Sequence, residues 1–256
     1  MSQGAALKKI LDAIRELIVD TNFDASEAGI SLQSMDSSHV SLVNLHLRED
    51  GFDFFRCDRN LSLGINLANM AKILKCCGNE DSVTLRANEE EDSCTFLFEN
   101  QESSRISEFT MKLMDIDSEH LGIPETEYKA TVRMSSSEFQ RIIRDLSTMG
   151  DTCTIDATKE GIKFSTSGEG GSGNVTIKQS AVADKPDEGT FIDLQEPVKM
   201  NFALRYLSFF TKATPLSSTV NIAMSPDVPL LIEYKIENIG HIRYYLAPKI
   251  DEEEDD

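Results

Sequence analysis

Phe23-Asp24-Ala25-Ser26-Glu27-Ala28-Gly29-Ile30-Ser31-Leu32 returns 132 residues later as Ile155-Asp156-Ala157-Thr158-Lys159-Glu160-Gly161-Ile162-Lys163-Phe164. The same offset superposes Leu7 on Phe139 and carries Ile10, Leu11 and Ile14 onto Ile142, Ile143 and Leu146. Asn66-Leu67-Ala68 answers Asn201-Phe202-Ala203 at an offset of 135. Self-similarity at a fixed long offset marks a duplicated domain, and 256 residues suffice for two domains of ordinary size, each with its own core. Between the copies, Leu113–Ala130 gathers Asp115, Asp117, Glu119, Glu125 and Glu127 around Leu121-Gly122-Ile123-Pro124, a composition suited to an exposed connector. The expected organisation is a first domain over 1–112, a connector over 113–130, a second domain over 131–250 and an acidic tail over 251–256.

Outward from the repeat, four segments carry helical periodicity. Leu7, Ile10, Leu11, Ile14, Leu17 and Ile18 form an i, i+3, i+4, i+7 stripe. Further helices are expected near Leu67–Cys77, Glu138–Met149 and Phe202–Ala213, the third opened by the capping box Ser135-Ser136-Ser137-Glu138. Elsewhere the period is two, as in Gly29–Gln33, Val40–Leu47 and Asn174–Lys178, which read as half-buried strands between Asn, Asp and Gly turns. Helices separated by runs of antiparallel-type strands predict an α+β fold. In the second copy the segment Tyr128–Met134 reads as a strand leading into the helix, while the offset maps its counterpart to before or at Met1. The first domain is therefore expected to lack its opening strand.

Composition narrows the function. No apolar run approaches the ~18 residues of a membrane helix, and Lys8 and Lys9 interrupt any signal-peptide core, so a soluble intracellular chain is expected. Five cysteines, Cys57, Cys76, Cys77, Cys94 and Cys153, include no C-x-x-C and are expected to be reduced core thiols, with no metal and no cofactor. H-E-x-x-H, G-x-S-x-G and the phosphate-binding G-x-x-x-x-G-K-[ST] do not occur, and four scattered histidines support no spacing argument. Gly168-Glu169-Gly170-Gly171-Ser172-Gly173 leads into a strand, so it reads as a turn and not as a phosphate cradle opening a helix. Nothing here points to an enzyme.

The net charge of −19 argues against binding nucleic acid until it is partitioned. The four helical segments, taken as Ala5–Ile18, Leu67–Cys77, Glu138–Met149 and Phe202–Ala213, hold nine basic residues against four acidic ones. That surplus of five leaves the rest of the chain at −24. Such segregation suits one surface that meets phosphate and a remainder that repels it, although solvated helix faces carry Lys and Arg for no further reason as well.

Several longer runs then carry a resemblance. Ser34-Met35-Asp36-Ser37-Ser38-His39-Val40-Ser41-Leu42, Arg56-Cys57-Asp58-Arg59-Asn60-Leu61, Leu121-Gly122-Ile123-Pro124, Phe210-Thr211-Lys212-Ala213-Thr214-Pro215-Leu216-Ser217 and Tyr244-Tyr245-Leu246-Ala247-Pro248-Lys249-Ile250 resemble the proliferating cell nuclear antigen family of sliding DNA clamps. The likeness runs from about Gly4 to the acidic tail. It implies two similar α+β domains per subunit and a head-to-tail homotrimeric ring, with antiparallel sheets outside and four helices lining the hole. It also implies a nuclear, non-enzymatic processivity factor for DNA polymerase, set on DNA by a clamp loader and holding replication and repair clients by short peptide motifs. Three subunits would set fifteen net positive helix charges around double-stranded DNA, read without regard to sequence.

The resemblance also assigns residues. DNA-facing positions are Lys8, Lys9, Arg15, Lys72, Lys75, Arg141, Arg144, Arg205 and Lys212. The partner-peptide pocket combines Met35, His39, Val40, Leu42, Leu121, Ile123, Pro124, Pro229, Tyr245 and Ala247, and would take a short helical turn with apolar anchors. Lys159 matches the family's modified lysine, and subunit contacts would join about Arg105–Lys112 to Asn174–Ser180 of a neighbour. Where the family begins with a strand, this sequence has Met1-Ser2-Gln3, which puts ring formation in question. Alternatives are a clamp-like peptide-binding scaffold, a checkpoint-type clamp subunit that does not form this homotrimer, and an enzyme whose site assembles only in three dimensions.

Overall fold

The structure is a computed structural model describing residues 4–87, 92–100, 102–117, 121–123, 126–180 and 189–250. The chain is α+β and divides into two compact units. The first comprises Met1–Ser37, Val43–Gly122 and Ile236–Ile242, and the second Ser38–Leu42, Ile123–Lys235 and Arg243–Asp256.

In the first unit α1 (Gly4–Ile14) is followed by β1 (Asp20–Ser26), β2 (Gly29–Met35), most of β3 (Ser41–Arg48), β4 (Leu61–Asn66), α2 (Leu67–Leu74), β5 (Ser82–Ala87), β6 (Ser93–Asn100) and β7 (Arg105–Lys112). Strands run in the orders β3-β2-β1-β4 and β5-β6-β7. The apolar stripe of α1 buries Leu7, Ile10, Leu11 and Ile14, and α1 packs on α2. Asn66 caps α2, its side-chain oxygen accepting from the Asn69 N–H at 2.9 Å.

The second unit runs through β8 (Ala130–Ser135), α3 (Ser136–Leu146), β9 (Thr152–Thr158), β10 (Gly161–Gly168), β11 (Gly171–Ile177), β12 (Phe191–Leu194), β13 (Val198–Ala203), α4 (Leu204–Phe210), β14 (Thr219–Met224) and β15 (Leu230–Ile236). Its sheets are ordered β11-β10-β9-β13 and β12-β8-β14-β15. β16 (Gly240–Leu246) is shared, its first three residues counting with the first unit and its last four with the second. Aromatic rings fill this core: Phe139 meets Phe164 at 6.0 Å between centroids, and Phe210 stacks on Tyr244 at 4.6 Å. The hydroxyl half of the capping box forms, Ser135 Oγ accepting from the Glu138 N–H at 3.4 Å. The glycine-rich run is a hairpin turn, with Gly168 paired to Gly171.

The duplication is visible in the backbone. Ser26 pairs with Gly29 and Thr158 with Gly161, each pair closing a two-residue turn. Both glycines have positive φ, +129° and +152°, and a Cβ on either would lie 2.0 Å from the Leu47 carbonyl oxygen or 2.4 Å from that of Ile177. Only glycine fits there. The Gly4 N–H donates to the Asp81 carbonyl at 2.8 Å as the Ser136 N–H does to that of Ser218 at 2.9 Å.

Two expectations change. The offset of 135 at Asn66-Leu67-Ala68 is replaced by 137: Leu67 begins α2 and bonds to the Val19 carbonyl as Leu204 begins α4 and bonds to that of Asp151. A three-residue match slid because only sheet register fixes that position, and Phe202 belongs to β13. Every helix also ends before its expected C-terminus, at Ile14, Leu74, Leu146 and Phe210. α1 stops at Ile14 while Leu17 and Ile18 are still buried: the Leu17 N–H makes a tightened bond to the Ile14 carbonyl at 3.0 Å, and the Ile18 N–H shares that carbonyl at 3.0 Å. α4 gives way at Thr211 to a 3-10 turn containing Pro215, whose ring cannot continue an α-helix. Lastly, Met1–Gln3 lie outside the described residues, and among the described residues β5 pairs only with β6.

Candidate functional site

The nine basic candidates fall on helices or their C-terminal turns. Lys8 and Lys9 lie in α1 with Arg15 one residue beyond it, Lys72 lies in α2 and Lys75 at its C-cap. Arg141 and Arg144 lie in α3, Arg205 in α4 and Lys212 in the 3-10 turn after it. α1 contacts α2 and α3 contacts α4, so each unit gathers its basic residues on one layer of two helices. Eight of the nine are exposed. Lys8 is half-buried and its ammonium donates to the Cys77 carbonyl and to Asn79, so part of its charge is spent holding α1 to the end of α2. Acidic neighbours trim the field further: Arg15 pairs with Asp12 at 2.8 Å, and Asp145 meets Arg144 at 3.1 Å and Arg141 at 3.8 Å. Exposed pairs of this kind exchange readily for phosphate, since each contributes at most ~1 kcal/mol.

The peptide-pocket candidates divide between the units. In the first, Met35 is half-buried at the end of β2 and Leu121 is 43% exposed. The Gln33 amide clamps the Leu121 backbone, donating to its carbonyl at 2.9 Å and accepting from its N–H at 2.9 Å. In the second, the Val40 carbonyl accepts from the Ala247 N–H at 3.1 Å. His39, with φ of 56°, Pro229 and Ala247 are exposed, and Ile123 and Tyr245 are half-buried. Leu42 is buried, so it serves the core more than a surface, and Pro124 lies outside the described residues. Burial raises the Tyr245 phenol, opposed by the hydrogen-bonded Arg243 guanidinium. Arg243 is itself fixed by donating to Glu233 at 2.6 Å. Sequence reasoning missed Gln33 and Arg243, because nothing local distinguishes a lone amide or a strand arginine whose partners come from distant segments.

The expected contact strands β7 and β11 each end a sheet, so each leaves one edge without a strand partner among the described residues. Ile106 on β7 is 67% exposed. Lys159 is exposed in the two-residue turn between β9 and β10.

Among the described residues no three His, Cys, Asp or Glu side chains are placed to share a metal ion. The cysteines are free, but only Cys77, Cys94 and Cys153 are buried; Cys76 is exposed and Cys57 half-buried, which corrects the expectation of five core thiols. Cys76 faces water because it lies past the last turn of α2, beyond the buried stripe. Burial pushes the Cys94 thiol up to about 11 and that of Cys153 up to about 12, so both are protonated and inert near neutrality.

Residues 1–120 match the family model for the N-terminal domain of proliferating cell nuclear antigen, and residues 122–249 match that for its C-terminal domain. The chain belongs to the proliferating cell nuclear antigen family. Its two units have the family's sliding-clamp fold, and its members are non-enzymatic scaffolds acting in DNA replication and repair.

Proposed function

We propose that this chain is a subunit of a homotrimeric ring that encircles duplex DNA in the nucleus, acts as a polymerase processivity factor and is set in place by a clamp loader. Three subunits would turn their paired-helix layers toward the duplex, with Lys9, Arg15, Lys72, Lys75, Arg141, Arg144, Arg205 and Lys212 meeting phosphates and Lys8 contributing what its structural role leaves. The observation that carries this reading is the basic surplus on four helices in a family member of net charge −19. Such contacts hold the duplex without reading bases, which lets a ring slide. The free edges of β7 and β11 support a head-to-tail contact in which one strand extends the sheet of the next subunit, a heterologous interface that closes into a ring when the rotation fits. Clients would dock a short helical turn against Met35, His39, Val40, Leu121, Ile123, Pro124, Pro229, Tyr245 and Ala247, with Leu42 beneath, and Lys159 would take the family's modification.

Retention on DNA tests the ring. After loading, the protein should stay on closed circular DNA and run off once the circle is cut, and reversing charge at Lys72, Lys75, Arg144 and Lys212 should impair loading while the trimer mass persists. Equal retention on both forms, or a monomer mass in solution, overturns encirclement in favour of a peptide-binding scaffold.

A further inference from the structure

Two histidines from opposite ends of the chain meet where β3 lies beside β16. Two backbone bonds fix the register: the Arg48 N–H donates to the Ile239 carbonyl at 2.7 Å, and the Ala247 N–H to the Val40 carbonyl at 3.1 Å. The strands therefore run antiparallel, and counting along them sets His46 directly opposite His241. The two rings stand 5.8 Å apart between centroids, with 42° between their planes. Both residues belong to the first unit. Strand alternation explains why they meet outside the core: Leu45 and Leu47 on β3 and Ile242 on β16 are buried, so His46 and His241 turn to the opposite face, where each is half-buried.

We propose that His46 and His241 together chelate a divalent transition-metal ion of the Cu²⁺, Zn²⁺ or Ni²⁺ class. Imidazole nitrogen is a donor that all three ions accept. A metal ~2.0–2.1 Å from each ligating nitrogen holds two ring centres roughly 5 Å apart at a tetrahedral angle. The observed pair reaches that spacing by a small turn of the two rings, with the backbone left in place. With no third His, Cys, Asp or Glu placed to join them among the described residues, water completes the coordination shell. Two protein donors make a weaker site than the three or four of zinc enzymes and zinc fingers. Cu²⁺ should bind more tightly than Zn²⁺ or Ni²⁺, and Mg²⁺ and Ca²⁺, which prefer oxygen ligands, should be refused.

Local charge permits a cation here. Arg48, two residues along β3, is turned to Asp50 at 3.0 Å and to the Asn238 carbonyl at 3.3 Å, and Arg243, two residues along β16, donates to Glu233 at 2.6 Å. Each guanidinium is thus directed to an oxygen of its own. Neither histidine belongs to the DNA-facing or peptide-pocket candidates, so the site adds to those surfaces. A bound ion would fasten β16 to β3 and, by binding the folded pair alone, stabilise it by mass action.

Calorimetric titration of the full chain with CuCl₂ and, separately, ZnCl₂, each in excess MgCl₂ to occupy the carboxylates, tests this. One site should appear whose affinity falls at least tenfold in H46Q and in H241Q alike and stays within twofold in H39Q. In parallel, the imidazole ring resonances of His46 and His241 in the unsubstituted protein should shift together during the ZnCl₂ titration and saturate at the same ratio, a measurement that needs no variant to fold. Unchanged affinity in either H46Q or H241Q, shifts confined to one of the two rings, or equal shifts at His39 would each mean an adventitious ion only and overturn the proposal.

Discussion

β5 in the first unit and β14 in the second descend from one ancestral strand, yet their surroundings differ. β14 lies inside its sheet, paired with β15 on one edge and on the other with β8 from Thr219↔Ser135 to Met224↔Ala130. Among the described residues, β5 pairs with β6 alone. The consequence shows in one pair of equivalent side chains: Ile222 is fully buried, whereas Leu85 is 38% exposed. The first helix of each copy is nevertheless anchored alike to the residue ahead of this strand, through Gly4 to Asp81 and Ser136 to Ser218. A duplicated domain can therefore keep its helix in place by one backbone bond and its stripe, while sheet burial depends on a neighbouring strand.

The largest effect should come from the helices, where the second unit has an aromatic anchor. Phe139→Ala, which empties the site facing Phe164, should cost about 3–5 kcal/mol, more than the equivalent Leu7→Ala, which at 7% exposure should fall at the low end of about 2–5 kcal/mol. Denaturant unfolding followed by unit-resolved hydrogen exchange measures both, and equal costs would break the comparison.

Next in size is the strand itself. Placing a copy of Tyr128–Ser135 directly ahead of Gly4 should pair it with β5 in the register β8 keeps with β14, bury Leu85, and slow amide exchange in β5 at least tenfold, about 1.4 kcal/mol. Before that addition β5 should exchange faster than β14. Equal protection would mean that the edge is already covered.

The smallest effect is in acid. Asp81, at the head of β5, accepts from Asn100 at 2.8 Å and the Gly78 N–H at 2.7 Å, which hold its carboxyl below the usual aspartate range. A depressed folded value stabilises above the unfolded value and is lost as pH falls through the folded one. Ser218 occupies the equivalent place, so only the first unit should loosen at β5 below the ordinary aspartate range. Asp81→Asn should flatten that pH dependence in exchange measurements, and an unchanged profile would assign it to another group.

Much of this was legible in one dimension. The 132-residue offset, the apolar stripes and the period-two runs determined duplication, α+β class and the segregation of charge, because periodicity and composition are local properties. Gly29 and Gly161 recur at the same place in the repeat, where the fold holds each at positive φ. Longer runs such as Leu121-Gly122-Ile123-Pro124 were enough to name the family. Helix ends, the 137-residue equivalence of Leu67 with Leu204, the exposure of Cys76 and the burial of Leu42 were decided only by tertiary structure. Each depends on which distant backbone lies beside the residue, and local pattern carries no record of that. Gln33 shows the limit most plainly: an unremarkable amide in a strand becomes the clamp on Leu121 because the fold returns the chain to it 88 residues later.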